Sequence, residues 1–532
     1  MKKLLICLLV FSTITSVGCN QKSQYKNNSI STAHPLATKA GIEMYKLGGN
    51  AADAAVAAAF TLAVVEPSMS GIGGRLQAIV RNLNETSGID ASTVVPISFK
   101  ENTNDKDGYK TIGVPGVVAG LLELQKTHGN LSLDIIMKPA INYAKFGFNL
   151  LEGEVYRHQL AKKSIEKNKG SSYHFLKKDG STYNTSDLFI QEDLAKTLTA
   201  IKDRGRKGFY EGEIAKKIAA DIQSNGGYIS LEDLKNYQVK KSKILKTYYK
   251  GYLVESLYLP SFGAITLNIL NILNHFNLSL EKEAEDIYVT NESIRIAYEK
   301  RKYQTNKDSL KSILSFETSE KEAQLIKKNI RNIYLKKENE PVSWNVPQGH
   351  TSHLTSADKN GMVISLTQTI GPLMGSKVTT KGLGFLYAVT MGGYLGDYKP
   401  GDRANSHISP TLVSKNNKVI LALGAAGGNK IVTAIVQTIK NIIDLELNLD
   451  QAIARGRVYP VNDSIQIEGH KGIKWSEKTL TELNDMSVPY FIQNKVAYNG
   501  RVNAIMLDTL ANKWIGASDP DWEGNALELD SN

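Results

Sequence analysis

Residues 349–369 read GHTSHLTSADKNGMVISLTQT, the stretch that most strongly predicts the fold. Before it the chain is mostly helical in pattern, whereas from residue 350 the period of its side chains changes to two. Strand-like runs flank Lys359-Asn360-Gly361, which is typical of a β-hairpin with a glycine turn. Thr351 and His353 then share one face of the first strand, because side chains two residues apart point the same way.

The residue types at the start of this hairpin suggest chemistry. A threonine hydroxyl is a poor nucleophile unless a base takes its proton, and the residue's own α-amine does so at a chain N-terminus. For Thr351 this requires a cut after His350: the hydroxyl attacks the preceding carbonyl, the ester hydrolyses, and the freed amine becomes the base. Threonine and histidine in strands are usually structural, so the pattern alone leaves both interpretations open.

A glycine-rich loop over 423–430 offers a partner for such a nucleophile. It lies between predicted strands at 411–414 and 419–423 and a predicted helix over 430–443, where free backbone N–H groups can stabilise an oxyanion. A phosphate loop is excluded, because Ile431 stands where that motif needs a hydroxyl, and the order of a dinucleotide fingerprint is also absent. Close helix–strand packing by glycine remains the alternative.

The N-terminal half is predicted to be mainly helical. Residues 36–47 have helical periodicity, and Asn50 can cap a second helix through Val65. This second helix is apolar nearly all round and too short to cross a bilayer, so it should be a buried core helix. The other predicted elements are strands ending near Val80 and over 94–99, helices near 190–203, 212–225 and 231–236, mostly helix over 264–340, and strands near 465–468 and 502–508.

Composition places the chain among ordinary globular proteins. It has 532 residues, 42% hydrophobic and 22% charged, with a net charge of +11. Residues 351–532 contain 17 basic and 17 acidic side chains, so the positive excess lies entirely in residues 1–350. Basic and acidic residues interleave at helical spacing in the densest stretch, which favours a solvated helical face over a nucleic-acid partner. The nine histidines show no H-E-x-x-H spacing, so neither a metal nor a cofactor is expected.

The first 33 residues are predicted to be a signal peptide followed by a tether. Residues 1–18 have the short positive segment and apolar run of a signal peptide, too short to span a bilayer. Small residues precede Cys19, which resembles a bacterial lipobox and predicts lipidation of Cys19 followed by a polar tether over 19–33. A plain signal peptide is the alternative. Cys7 and Cys19 are the only cysteines, which excludes a disulfide or a cysteine nucleophile in the folded body.

Blocks of sequence spread along the chain resemble the γ-glutamyltransferase family in order and spacing. The resemblance covers nearly all of residues 34–525. It implies an α+β fold of the N-terminal-nucleophile hydrolases, a four-layer αββα sandwich built by two subunits of one precursor, 34–350 and 351–532. The blocks are His34 to Ala37, Gly48 to Ala57, Val65-Glu66-Pro67, Ser70 to Gly74, Pro115 to Gly120, Gly226 to Ile229, and Ala517 to Pro520.

The resemblance implies roles for four residues of the attack machinery. By position, Thr351 matches the nucleophile that autoproteolysis after His350 would release. Thr369 matches a threonine near the new amine, and Gly427 and Gly428 match the glycine pair of the oxyanion hole. All four are present in this sequence.

The residues that hold the substrate depart more from the family pattern. Ser406 matches the first of two serines that bind the substrate α-carboxylate, but His407 replaces the second. The family's carboxylate-binding arginine falls at Lys100, which keeps the charge and loses the bidentate geometry. Arg75, where the family continues with glycine, is a candidate replacement cation.

The acidic residue that pairs with the γ-glutamyl amine falls at Gly393, and nearby amide positions fall at Gly371 and Thr390. A buried amine without its carboxylate would be an unpaired charge. Either another acid has taken this place, or the acyl group is not γ-glutamyl.

These observations predict a self-processing enzyme of the bacterial cell envelope, held to the membrane through a lipid anchor only. Its substrate would be a small-molecule amide of the glutathione type, with water or an amino acid or peptide as acceptor. A different acyl or amide substrate on the same fold is the alternative. A non-catalytic ligand-binding envelope lipoprotein is a third hypothesis, against which the intact nucleophile and glycine pair argue.

Overall fold

The computed structural model describes residues 23–100, 104–332, 349–392, 397–469, 475–496 and 498–531. The strands are β1 Asn27–Thr32, β2 Arg75–Asn82, β3 Glu85–Ala91, β4 Phe148–Asn149, β5 Leu188–Phe189, β6 Lys240–Lys241, β7 Ile244–Tyr249, β8 Tyr252–Leu257, β9 Gly349–Ala357, β10 Val363–Pro372, β11 Thr411–Lys415, β12 Lys418–Ala426, β13 Val458–Val461, β14 Ser464–Glu468, β15 Tyr490–Gln493, β16 Arg501–Asp508, β17 Lys513–Ser518 and β18 Asn525–Asp530. The helices are α1 Pro35–Lys46, α2 Ala51–Val65, α3 Val117–His128, α4 Leu133–Ile136, α5 Lys138–Phe146, α6 Glu152–Ile165, α7 Lys169–Phe175, α8 Glu192–Arg204, α9 Lys207–Tyr210, α10 Gly212–Ser224, α11 Leu231–Asn236, α12 Gly263–Leu273, α13 Glu283–Glu299, α14 Lys307–Ile313, α15 Phe316–Asn332, α16 Ile431–Ile443, α17 Leu449–Ala454 and α18 Glu477–Asp485.

Two large sheets form the centre of the molecule. The first has seven strands in the order β18-β1-β9-β10-β2-β3-β6, and the second has six in the order β17-β16-β12-β11-β8-β7. The predicted hairpin is β9 and β10, which pair antiparallel in the middle of the first sheet. Its glycine turn is confirmed by Gly361, whose φ of 97° suits glycine.

Helices cover the outer face of each sheet. α2 packs on β9 and β10, whereas α12 and α16 pack on the second sheet. The inner faces meet where β9 and β10 contact β12, and where β9 contacts β16. Every residue of α2 is buried, as its apolar sequence predicts, and Asn50 with Asp53 forms a capping box. The arrangement confirms the predicted α+β αββα sandwich.

The structure corrects the predicted tether. Residues 27–32 are not linker but β1, an entirely buried strand between β18 and β9. The sequence hid it because Ile30 is its one apolar residue. Its polar side chains find partners instead: Asn27 Nδ2 donates to the Trp514 carbonyl at 2.8 Å, and Ser31 Oγ to the Ala517 carbonyl at 2.7 Å. The predicted signal peptide over 1–18 and Cys19 lie outside the described residues.

A second correction concerns the strand predicted over 94–99. The partner of β2 is β3, at Glu85–Ala91, while residues 94–99 form a bridge and turns. Besides β3, the strands that were not predicted are β1, β4, β5, β6, β7, β8, β13, β15, β17 and β18. Within the described residues, no helix combines the length and apolarity needed to cross a membrane.

Candidate active site

Thr351 is buried near the start of β9, and its hydroxyl contacts the predicted partner. Thr351 Oγ1 donates to Thr369 Oγ1 at 3.1 Å, and Thr369 Oγ1 donates in turn to the His350 carbonyl oxygen at 2.5 Å. The backbone N–H of Gly371 donates to the same Thr369 oxygen at 2.9 Å. A bulge between Gln368 and Gly371 in β10 permits this geometry, because it turns the Gly371 amide back towards Thr369. Thr369 therefore links the hydroxyl of Thr351 to the carbonyl group that precedes it.

His353 lies on the same strand face but makes a different bond. Its Nδ1 is 2.8 Å from Thr367 Oγ1, and burial lowers the pKa of His353 to about 3, so the imidazole is neutral. The ring packs against Gly424 of β12, where a Cβ would stand 2.3 Å from the ring Cε1. His353 thus fixes the spacing of the two sheets beside Thr351.

The glycine pair follows β12 and lies at the entrance to α16. Gly427 has a φ of 135° and Gly428 a φ of 61°, conformations that favour glycine. A Cβ on Gly427 would also lie 2.8 Å from the Gly500 Cα. Ala426, the residue before the pair, lines the same small cavity as Thr351. The structure therefore brings together the nucleophile position and the predicted oxyanion loop.

Arg75 lies on the other side of Thr369, paired with it in register between β2 and β10. The side chain is 1% exposed, and its guanidinium donates to the Val389 carbonyl at 2.6 Å and to the Asn405 carbonyl at 3.3 Å. Arg75 thus fastens both ends of the 389–405 segment, which leads into Ser406.

Ser406 and His407 are both 7% exposed beside this segment. The Ser406 N–H donates to the Pro260 carbonyl at 2.8 Å, and Phe262 meets the His407 ring edge to face at 4.8 Å. Burial, with Arg301 and Arg75 adding repulsion, lowers the pKa of His407 to about 3. His407 Nε2 has no hydrogen-bond partner in the described part of the chain. A neutral imidazole with a free Nε2 in this part of the chain thus stands where the family resemblance places a serine.

The remaining predicted binding residues are less closely joined to the site. Lys100 is exposed, and no hydrogen bond or ion pair of its side chain appears among the described residues. Thr390 Oγ1 donates to Thr93 Oγ1 at 2.9 Å, so that hydroxyl is already engaged within the protein. Gly393 lies outside the described residues.

A buried charged cluster behind Thr351 was not predicted from the sequence. Ser352 Oγ donates to Glu66 Oε2 at 2.6 Å, and Arg157 pairs with Glu154 at 2.5 Å and lies 3.9 Å from Glu66. Burial raises the pKa of Glu66 to about 7, although Arg157 and the Ser352 hydroxyl oppose the shift. The Val65-Glu66-Pro67 block was the only sequence signal for it.

Asp519, from the Ala517-to-Pro520 block, also lines the cavity beside Thr351. It accepts from Arg457 Nη2 at 2.7 Å and from the Val502 N–H at 3.2 Å. The carboxylate therefore ties β16 to the end of β17 at the edge of the site. No group of three or more His, Cys, Asp or Glu side chains suited to a metal ion occurs in the described ranges.

Two stacked sheets between helical layers, with a threonine near the start of a central strand, define the N-terminal-nucleophile hydrolase class of fold. The crystal structure of a cephalosporin acylase from Bacillus halodurans has the same fold, with a TM-score of 0.84 and 24% identity over 94% of this chain and 96% of that one. The gamma-glutamyltranspeptidase family model matches residues 37–529, and the chain belongs to that family.

Individual relatives share about 30% of their residues with this chain. A glutathione hydrolase proenzyme of Pseudomonas sp. (strain A14) is 31% identical over 82% of this chain and 81% of its own length. The capsule biosynthesis protein CapD proenzyme of Bacillus anthracis is 30% identical over 92% and 88%. A gamma-glutamyltranspeptidase structure from Helicobacter pylori has a TM-score of 0.53 and 34% identity over 55% and 90%. The chain is therefore a divergent member of a family whose members differ in named function.

Proposed function

We propose that this protein is a self-processing hydrolase or acyltransferase that uses Thr351 as its nucleophile. The observation that carries the proposal is the pair of hydrogen bonds through Thr369, which connect the Thr351 hydroxyl to the His350 carbonyl in the uncut chain. The proenzyme names of the relatives from Pseudomonas sp. and Bacillus anthracis agree with a precursor that is cut into two subunits, 34–350 and 351–532.

The bonds define a route for the proton during self-cleavage. As Thr351 Oγ1 bonds to the His350 carbonyl carbon, its proton passes to Thr369 Oγ1, and the Thr369 proton passes to the carbonyl oxygen. The C–N bond then breaks, the nitrogen takes up a proton, and an ester joins His350 to Thr351. Water hydrolyses this ester to a carboxylate on His350 and a free Thr351 hydroxyl, with a new α-amine beside it.

In the cut enzyme the same threonine attacks the substrate amide. The Thr351 amine takes the hydroxyl proton, and the N–H groups of Gly427 and Gly428 stabilise the oxyanion of the tetrahedral intermediate. The leaving amine departs with a proton, and water or another amine accepts the acyl group. His353 is given no part in these proton transfers, because a pKa of about 3 makes its imidazole a weak base and its Nδ1 is bonded to Thr367.

The family favours γ-glutamyl groups as the acyl substrate, since several relatives are named glutathione hydrolases. A second candidate is an acyl group of similar length that carries a carboxylate but no amine. It is favoured by the absence of a carboxylate side chain at Gly371, Thr390 and Gly393, the positions that match the amine-binding residues. Arg75 and Arg301 make the surroundings of His407 electropositive, which suits an anionic group.

The sequence of residues 1–19 supports a lipid anchor on Cys19 and a location in the cell envelope. Replacement of Cys19 by serine should move the protein from the membrane to the soluble fraction. Fractionation that finds wild-type protein already soluble would reject the anchor.

A denaturing gel and two chromogenic anilides test the catalytic proposal. Wild-type protein should yield pieces ending at His350 and beginning at Thr351, and should release nitroaniline from a γ-glutamyl or a glutaryl anilide. Preference for the first supports γ-glutamyl transfer, and preference for the second supports the amine-free acyl group. An uncut, inactive chain would instead support a non-catalytic binding lipoprotein.

A further inference from the structure

Arg501, the first residue of β16, carries a buried charge that the proposed mechanism does not use. The residue is 5% exposed and lines the cavity beside Thr351, together with Asn503 and Trp522. Its guanidinium carbon lies 3.8 Å from the centre of the Trp522 ring. Among the described residues it makes no side-chain hydrogen bond and no ion pair, and its Nε has no partner. Arg501 is thus a buried cation without an acceptor.

The carboxylates near Arg501 are engaged elsewhere. Glu66 accepts from Ser352, Asp519 from Arg457, and Glu523 Oε1 from the Gly153 N–H at 2.9 Å. Burial, reinforced by repulsion from Arg157, lowers the pKa of Arg501 to about 10, although the longer-range attraction of these three carboxylates opposes the shift.

Arg157, which lies against the same tryptophan, differs from Arg501 in having a counter-ion, although its Nη1 also lacks a hydrogen-bond partner among the described residues. Its guanidinium carbon also lies over the Trp522 ring, at 4.3 Å, but Glu154 neutralises it and Ser68 Oγ accepts from its Nε at 2.7 Å. A buried ion is costly when its partner is absent. The difference between the two arginines therefore indicates that the counter-ion of Arg501 is a group absent from the uncut chain without substrate.

We propose that Arg501 and Trp522 form a carboxylate-binding site next to the nucleophile, on the side away from Arg75. The order of strands places the two cations apart: Arg75 is on β2, beyond β10, whereas Ala33 and Gly524 of the cavity flank β1 and β18, on the other side of β9. This inference rests on the proposed function, which supplies two sources of the carboxylate.

The first source is the protein itself. Self-cleavage would convert the His350 carbonyl into a carboxylate. Thr351 directly follows His350 and lines the same cavity as Arg501, so the new carboxylate would form at the edge of that cavity. Burial, then Arg501 and Arg157, also holds the pKa of the His350 side chain well below its usual range. The second source is the substrate. With the acyl group held on the Arg75 side, the leaving group or the acceptor would extend towards Arg501, and an amino acid or peptide brings a carboxylate there.

Substitutions at Arg501 separate these sources. Arg501→Gln removes the charge at similar size, Arg501→Lys keeps it, and Arg455→Gln is the matched control. Arg455 also lies over a tryptophan, 5.7 Å from the Trp475 ring centre, but it pairs with Glu283 at 2.8 Å and does not line the cavity.

The first measurement compares melting temperatures of cut and uncut protein. If the His350 carboxylate is the ligand, Arg501→Gln lowers the melting temperature of the cut enzyme by at least about 2 °C more than that of the uncut Thr351→Ala protein. Arg501→Lys restores most of this difference, and Arg455→Gln affects both forms equally.

The second measurement compares γ-glutamyl-4-nitroanilide with its 3-carboxy derivative, or the corresponding glutaryl pair. If the substrate carboxylate is the ligand, Arg501→Gln raises KM roughly tenfold for the carboxylated anilide alone. The site is rejected if Arg501→Gln changes neither the difference in melting temperature between cut and uncut protein nor the ratio of KM values for the two anilides. If wild-type protein is neither cut nor active, the proposed function has failed. In that case the uncut chain tests the site separately. Glycylglycine, but not glycylglycinamide, should raise its melting temperature, and Arg501→Gln should abolish this rise; no rise with glycylglycine rejects the site.

Discussion

The two sides of the candidate site are built differently. On the attack side, Thr351 and Thr369 lie on neighbouring strands of the first sheet and are joined by a hydrogen bond, and the glycine pair directly follows β12 of the second sheet. On the acyl side, Lys100 is exposed and His407 Nε2 lacks a hydrogen-bond partner among the described residues. In the proposed mechanism the bond-breaking chemistry thus depends on the sheets that form the core, whereas acyl recognition depends on loops at their edge. A family can keep one reaction and change its substrate in this way.

The most severe test of the attack side is Thr351→Ala. Loss of the hydroxyl should leave the chain uncut on a denaturing gel and lower kcat more than about 1,000-fold, because both processing and acyl transfer need this nucleophile. Thr351→Ser retains a hydroxyl and should still be cut, more slowly. A Thr351→Ala protein that still splits after His350 would remove Thr351 from the mechanism.

Thr369→Val tests the proton route. It keeps the shape of the side chain but cannot donate to the His350 carbonyl, so self-cleavage should slow roughly 100-fold in a gel time course. Thr369→Ser, which restores the donor, should recover most of the rate. Equal rates for the valine and serine variants would show that the bonds through Thr369 are only structural.

Gly427→Ala should lower kcat by about 100-fold in enzyme that has already been cut. The new Cβ would meet Gly500 and force a backbone with a φ of 135° to change, which moves the N–H groups of the oxyanion loop. Gly180→Ala is the control, because Gly180 also has positive φ but has open space around it. If both variants lose the same activity, strain and not the oxyanion loop is responsible.

On the acyl side, His407→Ser should change substrate preference more than rate. The serine restores a small donor beside Ser406, so the ratio of kcat/KM for γ-glutamyl over glutaryl anilide should rise about fivefold, with self-cleavage unchanged. Lys100→Arg, the corresponding return to the family residue, should change this kcat/KM ratio little if the side chain remains exposed. A large drop in self-cleavage from His407→Ser would show that the two sides are not independent.

The smallest effect on activity is expected at Glu66, where the change appears in stability. Its folded pKa of about 7 lies above the ordinary 4.5, so its contribution is fully present below about pH 4.5 and is lost as pH rises through 7. Glu66→Gln should remove up to about 3 kcal/mol of this pH dependence from the free energy of unfolding. Denaturant titrations at pH 5 and pH 8 measure it, and an unchanged difference between them would contradict the assignment.

The elements that could be predicted from sequence are those with a strong local signal. α1, α2 and α16 have clear periodicity or a cap and were predicted to within a residue or two, and the β9–β10 hairpin was predicted at the correct turn, with its strands three to four residues too short at their outer ends. β1 was missed because its buried side chains are polar and satisfied by distant residues. β3 was misplaced because Glu85–Ala91 has few apolar residues, whereas 94–99 looks more like a strand.

The residues of the candidate site also fall into those that the sequence predicted and those that it did not. Thr351 and Thr369 were recognisable from the family pattern, and the glycine loop from its place between a strand and a helix. Glu66 was not recognised because its partner Ser352 lies 286 residues away, and Arg501 because its significance depends on the missing acceptor among the described residues. Whether an arginine is neutralised can be read only in three dimensions.

The strand order of the first sheet determines whether the two pieces of a cut protein can separate and refold. β1, from the N-terminal piece, lies between β18 and β9 of the C-terminal piece, and β10 is followed by β2 of the N-terminal piece. Cleavage after His350 would leave two polypeptides woven together, so dilution should not separate them. After denaturation, however, refolding would become bimolecular, and strands once joined by the chain would have to meet by diffusion. Such an enzyme would assemble easily as a precursor and recover poorly once unfolded.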